Sequence, residues 1–185
     1  MILIYAFSNP WGTNISRRVL LELQKQLSLP FLKGRSPDET LVDIGKRDFA
    51  LIHGHPRPFF QTHIEHKIYS IIIGLGDGSK FISKIKIETR AKNVYLDKEI
   101  YPFSPIFLDL NLPVVDNFDS DYFQIGSNMG TYNCNYMAYQ TQLHLNQKSP
   151  QTKHLFLHLP QKSNATDLAS RILCLFQDNQ VLNKP

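Results

Sequence analysis

The sequence predicts an α/β fold, in which a three-layer α/β/α sandwich contains a twisted, mostly parallel sheet. Strand-like and helix-like stretches alternate along the 185 residues, as they do in folds of this class. Residues 68–74 and 154–159 are continuous apolar runs, which are typical of strands buried on both faces of a sheet. Because 42% of the residues are hydrophobic, the chain 1–185 is expected to form one globular domain with one sizeable core.

The first half of the chain predicts four strands and one helix. Residues 2–7 predict a strand, and Asn14 or Ser16 is expected to cap a helix that runs to about Leu29. Residues 48–53 predict the second strand, and the prolines within residues 55–58 are expected to prevent regular structure after it. Residues 68–74 predict the third strand, and partial alternation in residues 82–92 predicts a half-buried fourth one.

The second half predicts two further helices around a buried strand. Residues 97–122 are expected to be loop-rich, since they contain three prolines and several Asp and Asn residues. Residues 122–126 predict a weak strand, and a helix is expected from near Cys134 to before Pro150. The strand 154–159 follows, and the last helix, which carries Cys174, is expected to begin within residues 163–166.

Composition excludes several classes of protein. The net charge is +4, but the Lys and Arg residues are scattered, which indicates a mildly basic surface and no nucleic-acid partner. The apolar runs are too short to span a bilayer, and the N-terminus has neither a basic region nor a cleavage site, so no membrane partner or export is expected. Two cysteines far apart favour a reducing compartment, the cytoplasm, and a homo-oligomer is compatible with the sequence.

Cys134 is a candidate nucleophile. The segment 130–135 reads G-T-Y-N-C-N, so a glycine-bearing turn places this cysteine at the start of a predicted helix. Backbone N–H groups and the helix dipole stabilise negative charge there, which would lower the pKa of the thiol and could bind an oxyanion. The alternative is a small buried residue that only packs.

His158 is the candidate general base. It lies twenty-four residues after Cys134, near the end of a predicted buried strand and before Pro160. The carboxyl ends of the strands carry the ligand site in open α/β sheets, so an imidazole there can meet a nucleophile on the preceding helix. The alternative is a hydrogen-bonded histidine of the core.

These two segments together resemble the pyroglutamyl peptidase I family. That family carries a segment like A-G-T-Y-V-C-N-H, about two dozen residues, and then F-I-H-V-P. In this chain residues 129–136 read M-G-T-Y-N-C-N-Y, and residues 155–160 read L-F-L-H-L-P. The resemblance implies a cysteine exopeptidase (an omega peptidase) that hydrolyses the amide bond after an N-terminal pyroglutamyl residue. It implies a peptide substrate, no cofactor and no metal.

The same resemblance indicates a third catalytic residue, Glu88. The family pattern G-L-A-G-G-R, then I-x-x-E-R-V-A-I-N, corresponds to G-L-G-D-G at residues 74–78 and to I-E-T-R-A-K-N at residues 87–93. The interval between Glu88 and Asn93 matches the family interval, but this register needs an insertion of about three residues. Without that insertion Ile85 would take the place of the glutamate. Glu88 would orient and support His158, and its alternative is a solvated surface glutamate.

The N-terminal segment and the glycine-rich turn supply the candidate substrate-binding residues. The family opens with a strand and T-G-F-x-P-F-G, and residues 5–12 read Y-A-F-S-N-P-W-G. By resemblance, Phe7 and Trp11 would line an apolar pocket for the pyroglutamyl ring, and Gly74 and Leu75 would also contact substrate. The alternative is that both aromatic residues belong to the core.

Two other clusters and two other functions are weighed against this interpretation. His53, His55, His63 and His66 are spaced like metal ligands but lack an evident third ligand on one face, and residues 74–78 lack the lysine of a phosphate-binding loop. A related cysteine amidase with another small acyl substrate is one alternative function. An inactive homologue that acts as a binding protein is the other.

Overall fold

The computed structural model describes residues 1–28 and 47–182, and its centre is a six-stranded sheet. The strands of this sheet and of a separate two-stranded one are β1 (Ile2–Ser8), β2 (Arg47–His53), β3 (Ile71–Asp77), β4 (Ile85–Glu88), β5 (Arg90–Lys92), β6 (Phe107–Asp109), β7 (Phe123–Gly126) and β8 (Lys153–Leu159). The order in the large sheet is β2-β1-β3-β8-β4-β7, and β5 pairs with β6. All neighbours in the large sheet are parallel except β4 and β8.

Four helices cover the two faces of the large sheet. They are α1 (Ile15–Ser28), α2 (Pro56–His63), α3 (Asn133–Lys148) and α4 (Ala165–Asp178). Helices α1 and α4 pack on one face, where the odd-numbered residues of β8 and the even-numbered residues of β1 are buried. Helices α2 and α3 pack on the other face around Tyr5, Phe7 and Phe156. This arrangement confirms the predicted three-layer α/β/α class.

Most predicted elements are present, and α2 is the main correction. The prolines in residues 55–58 do not prevent regular structure, because Pro56 is the first residue of α2. Proline is tolerated in the first helical turn, where its missing N–H group would have no intrahelical acceptor. The His55 side chain caps this helix by accepting a hydrogen bond from Arg57 N.

Three further boundaries differ from the sequence prediction. The third strand begins at Ile71 and not at Ile68, which is 76% exposed. The stretch 82–92 divides into β4 and β5, which belong to different sheets, and the stretch 97–122 contains the short strand β6. The predicted end of α1 near Leu29 lies outside the described residues.

The helices of the described stretches of the chain include none that is both long enough and apolar enough to cross a membrane.

Candidate active site

Cys134 lies in the first turn of α3, which begins at Asn133. The turn before it contains Gly130 with a φ of 78°, a conformation that favours glycine. The residue at the N-cap, Tyr132, makes no side-chain hydrogen bond to the helix. The N–H groups of the first turn are therefore not satisfied by a side-chain cap, and that of Cys134 interacts with its own sulfur.

The environment of the Cys134 thiol favours its protonated form. Burial raises the pKa of the thiol to about 12, and the carboxylates of Asp77 and Glu88 contribute in the same direction. The cysteine's own backbone N–H group acts oppositely but does not compensate. The sequence prediction of a lowered pKa is therefore wrong for the structure without substrate, because desolvation outweighs the effect of the helix start.

His158 and Glu88 form a direct hydrogen-bonded pair. His158 Nδ1 lies 2.7 Å from Glu88 Oε1, and both residues are buried. The contact follows from strand pairing: β4 runs antiparallel to β8, with Lys86 opposite His158 and Glu88 opposite Phe156. Side chains two residues apart on a strand share a face, so Glu88 and His158 meet diagonally on the side that faces α3.

The structure distinguishes the two registers considered for the acidic residue. Glu88, not Ile85, reaches the imidazole. The Ile85 side chain is buried on the opposite face of the sheet, in the core layer of α1 and α4. A surface position for Glu88 is also wrong, since the residue is 0% exposed.

Gly76 on β3 is where the sulfur and the imidazole approach each other. A Cβ atom at Gly76 would lie 2.7 Å from Cys134 Sγ and 3.1 Å from His158 Cδ2. Both groups therefore flank the same point of the backbone, and any larger residue would displace one of them. Gly74, two residues earlier on the same strand, has a similar role, because the absence of a side chain there leaves space for Phe156 and Tyr5.

The four predicted substrate-binding residues lie in different environments. Phe7 is buried in the layer of α2 and α3, where its ring packs against that of Tyr5 at 6.2 Å. Trp11 is 82% exposed in the turn after β1. The Leu75 side chain lies in the opposite core layer, so only its backbone can face the site, whereas Gly74 lies on the same face as His158.

Two residues of the site were missed by sequence reasoning. Lys86 Nζ lies 2.9 Å from Glu88 Oε1, and the i, i+2 spacing of these residues on a strand was the available signal. Asn135 is fully buried beside the cysteine and binds the backbone of Lys92 and Val94. No local pattern indicates that contact, because its partners lie on β5 and just after it.

The histidine cluster has structural contacts instead of a common ligand geometry. His55 caps α2, and the His63 ring stacks on Phe59 with the ring centroids 4.5 Å apart. Over residues 1–28 and 47–182, no three His, Cys, Asp or Glu side chains come close enough to hold a metal ion.

The geometry defines a protein in which a partly buried cysteine lies beside a buried His and Glu pair at the centre of an α/β sheet. No family model matches the sequence, and no curated protein matches it. Solved structures do match, and they are pyrrolidone carboxyl peptidases.

Three of these structures show the extent of the likeness. The enzyme from Thermococcus litoralis is 16% identical, with 97% of this chain and 93% of that chain covered and a TM-score of 0.72. A mutant enzyme from Pyrococcus furiosus is 17% identical, with 97% and 98% covered and a TM-score of 0.74. Pyroglutamyl peptidase I from Bacillus amyloliquefaciens is 18% identical, with 98% and 93% covered and a TM-score of 0.66. The chain therefore has the fold of these peptidases over nearly its whole length.

Proposed function

We propose that the protein is a cysteine exopeptidase that hydrolyses the amide bond after an N-terminal pyroglutamyl residue. The observation that carries the proposal is that Cys134 and His158 meet at Gly76 while Glu88 binds the far side of the imidazole, although the three come from segments far apart in the sequence. The fold shared with pyrrolidone carboxyl peptidases, whose names state this substrate, supports the same reaction.

In the proposed reaction, His158 activates the thiol at the moment of attack. Glu88 accepts the Nδ1–H hydrogen bond, which leaves Nε2 of a neutral imidazole free to take a proton. Because the raised pKa keeps Cys134 protonated near neutral pH, the imidazole removes the thiol proton as the sulfur attacks the pyroglutamyl carbonyl carbon. The buried Glu88 carboxylate stabilises the imidazolium that forms.

The negative charge of the tetrahedral intermediate needs hydrogen-bond donors. The first-turn N–H groups of α3, at a helix end without a side-chain cap, are the proposed donors. The imidazolium then gives its proton to the leaving amine as the C–N bond breaks. Water, activated by the same imidazole, hydrolyses the thioester and restores the thiol.

The proposal includes a cytoplasmic location. Cys134 and Cys174 are both free cysteines, and a reducing compartment protects a thiol nucleophile from oxidation.

Release of 7-amino-4-methylcoumarin from its L-pyroglutamyl amide tests the reaction. We expect hydrolysis by the wild-type protein and a loss of kcat/KM of at least ~10³-fold in Cys134→Ala. Cys174→Ala is the matched control, because that exposed cysteine lies on α4, away from the site. Full activity in Cys134→Ala, or no hydrolysis by a folded wild-type protein, contradicts the proposal.

A related cysteine amidase with another small acyl substrate is the second candidate, and the position of the two aromatic residues favours it. Trp11 is largely exposed and Phe7 belongs to the core, so this structure does not place both rings around one apolar pocket. A panel of aminoacyl and acyl coumarin amides separates the candidates. A preference for an acyl group other than pyroglutamyl that Cys134→Ala abolishes would establish the second one.

A further inference from the structure

Lys86 forms a buried ion pair with the carboxylate that supports His158. Its Nζ lies 2.9 Å from Glu88 Oε1 and donates a hydrogen bond of 2.8 Å to the carbonyl oxygen of Asn128. The Lys86 side chain is only 20% exposed. One oxygen of Glu88 thus receives both the lysine and the imidazole.

The path of the Lys86 side chain depends on a glycine. A Cβ atom at Gly126 on the neighbouring strand β7 would lie 2.8 Å from both Cγ and Cδ of Lys86. Strands β4 and β7 pair in parallel, and the absence of a side chain at Gly126 leaves space for the Lys86 side chain to pass over β7 toward Asn128. The structure therefore provides both the space and a hydrogen-bond acceptor for the inward-directed Lys86 side chain.

The charge balance at Glu88 explains what this lysine does. A buried carboxylate with only a neutral imidazole beside it would be an uncompensated charge, which is costly away from water. Such a carboxylate either takes up a proton itself or keeps its partner histidine permanently protonated. In both cases the imidazole is no longer a neutral base with its proton on Nδ1.

The charged and titratable groups that face Glu88 come from three elements. His158 faces it from β8 and Lys86 from its own strand β4, while Cys134 approaches from α3. Its second oxygen, Oε2, has no hydrogen-bond partner within the described residues. Lys86 is thus the permanent cation in contact with the carboxylate.

We infer that Lys86 is a positioning residue that keeps Glu88 ionised while His158 is neutral, and so holds the imidazole in the tautomer that a general base requires. The inference rests on the proposed function for the role of His158 as a base. The protonation state of the imidazole can nevertheless be measured without any substrate.

Nitrogen-15 NMR of histidine-labelled protein tests the inference directly, with His158→Gln used to assign the resonance. At neutral pH we expect the wild-type imidazole to be neutral with its proton on Nδ1. In Lys86→Met and Lys86→Gln we expect a larger doubly protonated fraction of this imidazole than in the wild type, or a proton on Nε2. An imidazole with the wild-type titration and tautomer in both variants overturns the inference.

Two charge-matched controls accompany these variants. Lys86→Arg keeps the cation and is expected to preserve the wild-type NMR signature. Lys84→Met removes one positive charge from the segment before β4, where the lysine donates a hydrogen bond to the Ser120 carbonyl oxygen. It too is expected to leave the His158 resonances unchanged, and a change as large as that of Lys86→Met would overturn the inference.

Kinetics separate this inference from the proposed function. On a coumarin substrate that the wild-type protein cleaves, Lys86→Met is expected to lower kcat about 10- to 100-fold at neutral pH with little change in KM. In one outcome, the wild-type protein cleaves no pyroglutamyl amide while the His158 resonances still differ between wild type and Lys86→Met. That result would refute the proposed substrate and support the role of Lys86. Normal kcat in a variant with unchanged NMR refutes the role of Lys86 and leaves the proposed function intact.

Discussion

The Cys134 thiol illustrates, at the scale of one residue, how opposing effects decide reactivity. The start of α3 favours a thiolate, but burial and the carboxylates of Asp77 and Glu88 raise the pKa to about 12. In the proposed reaction, a thiol with this pKa carries its proton near neutral pH and depends on His158 to remove it. This distinguishes a general-base mechanism from one with a preformed thiolate–imidazolium pair.

The raised pKa predicts how alkylation by iodoacetamide depends on pH. Because only the thiolate reacts, the rate at Cys134 is expected to keep rising from about pH 8 to about pH 11, without a plateau near neutrality. Mass spectrometry that resolves the two cysteines measures this rate and uses the exposed Cys174 as an internal reference. A rate at Cys134 that is already constant near pH 7 would demonstrate a preformed thiolate and refute this description.

At the scale of elements, Asn135 connects the start of α3 to β5. Its side chain accepts a hydrogen bond from Lys92 N and donates to the carbonyl oxygens of Lys92 and Val94. Asn93, one residue along from Lys92, in turn binds backbone groups of residues 100, 101 and 104. The chain after Glu88 is thus tied to the helix that carries Cys134.

Replacement of Asn135 by Ala is expected to weaken this junction. Three hydrogen bonds of a buried side chain are lost, so the free energy of unfolding should fall by ~2–4 kcal/mol, as measured by chemical denaturation. Because Cys134 is the adjacent residue, kcat on a cleaved substrate should fall at least ~10-fold while the protein remains folded. Gln147→Ala, which changes an exposed glutamine on the same helix, is the control and should stay within about 0.5 kcal/mol of wild type. Equal stability of the two variants would contradict the role given to Asn135.

At the scale of the whole molecule, the face of the sheet covered by α2 and α3 buries polar groups as well as apolar ones. His154 on β8 is fully buried, and its Nδ1 lies 3.2 Å from Gln142 Oε1 on α3. Burial lowers the pKa of His154 to about 3, because the charged form of the imidazole is costly away from water. The opposite face, under α1 and α4, is filled with aliphatic side chains and Phe123 and Phe176.

The lowered pKa of His154 predicts loss of stability in acid. Below pH 6.5, the ordinary pKa of histidine, His154 binds a proton in the unfolded chain. In the folded protein it remains neutral until about pH 3. The free energy of unfolding should therefore fall as the pH is lowered through this range. The stabilising contribution of His154 is expected to be a few kcal/mol and to be fully present above about pH 6.5.

Denaturation measured across this pH range in His154→Gln checks that contribution. The variant is expected to lose less stability than the wild-type protein on acidification. His66→Gln serves as the control, since its side chain is 82% exposed and should leave the slope unchanged. An identical acid dependence in wild type and His154→Gln would refute the assignment.

Local patterns were sufficient for the class of the fold and for most elements. The apolar run of β8 and the helical stripe of α4 could be recognised because both patterns depend only on nearby residues. The same holds for the cap of α4, which is Asn164, the residue directly before the helix. Helix α2 was missed because a proline was treated as a breaker where it is a good first residue. Strand β6 was missed because three residues carry too little periodicity to detect.

The sequence by itself determined the alternation of strands and helices, the cysteine at a helix start and the histidine near a strand end, since all of these depend on short-range spacing. Only the tertiary structure decided that Glu88 reaches His158, that Lys86 shares its carboxylate and that the Leu75 side chain faces away. It also decided that burial raises the pKa of the Cys134 thiol to about 12. The physical reason is that strand register and burial arise from pairing between distant segments, such as Gly76 with His158, and electrostatic energies follow from that burial.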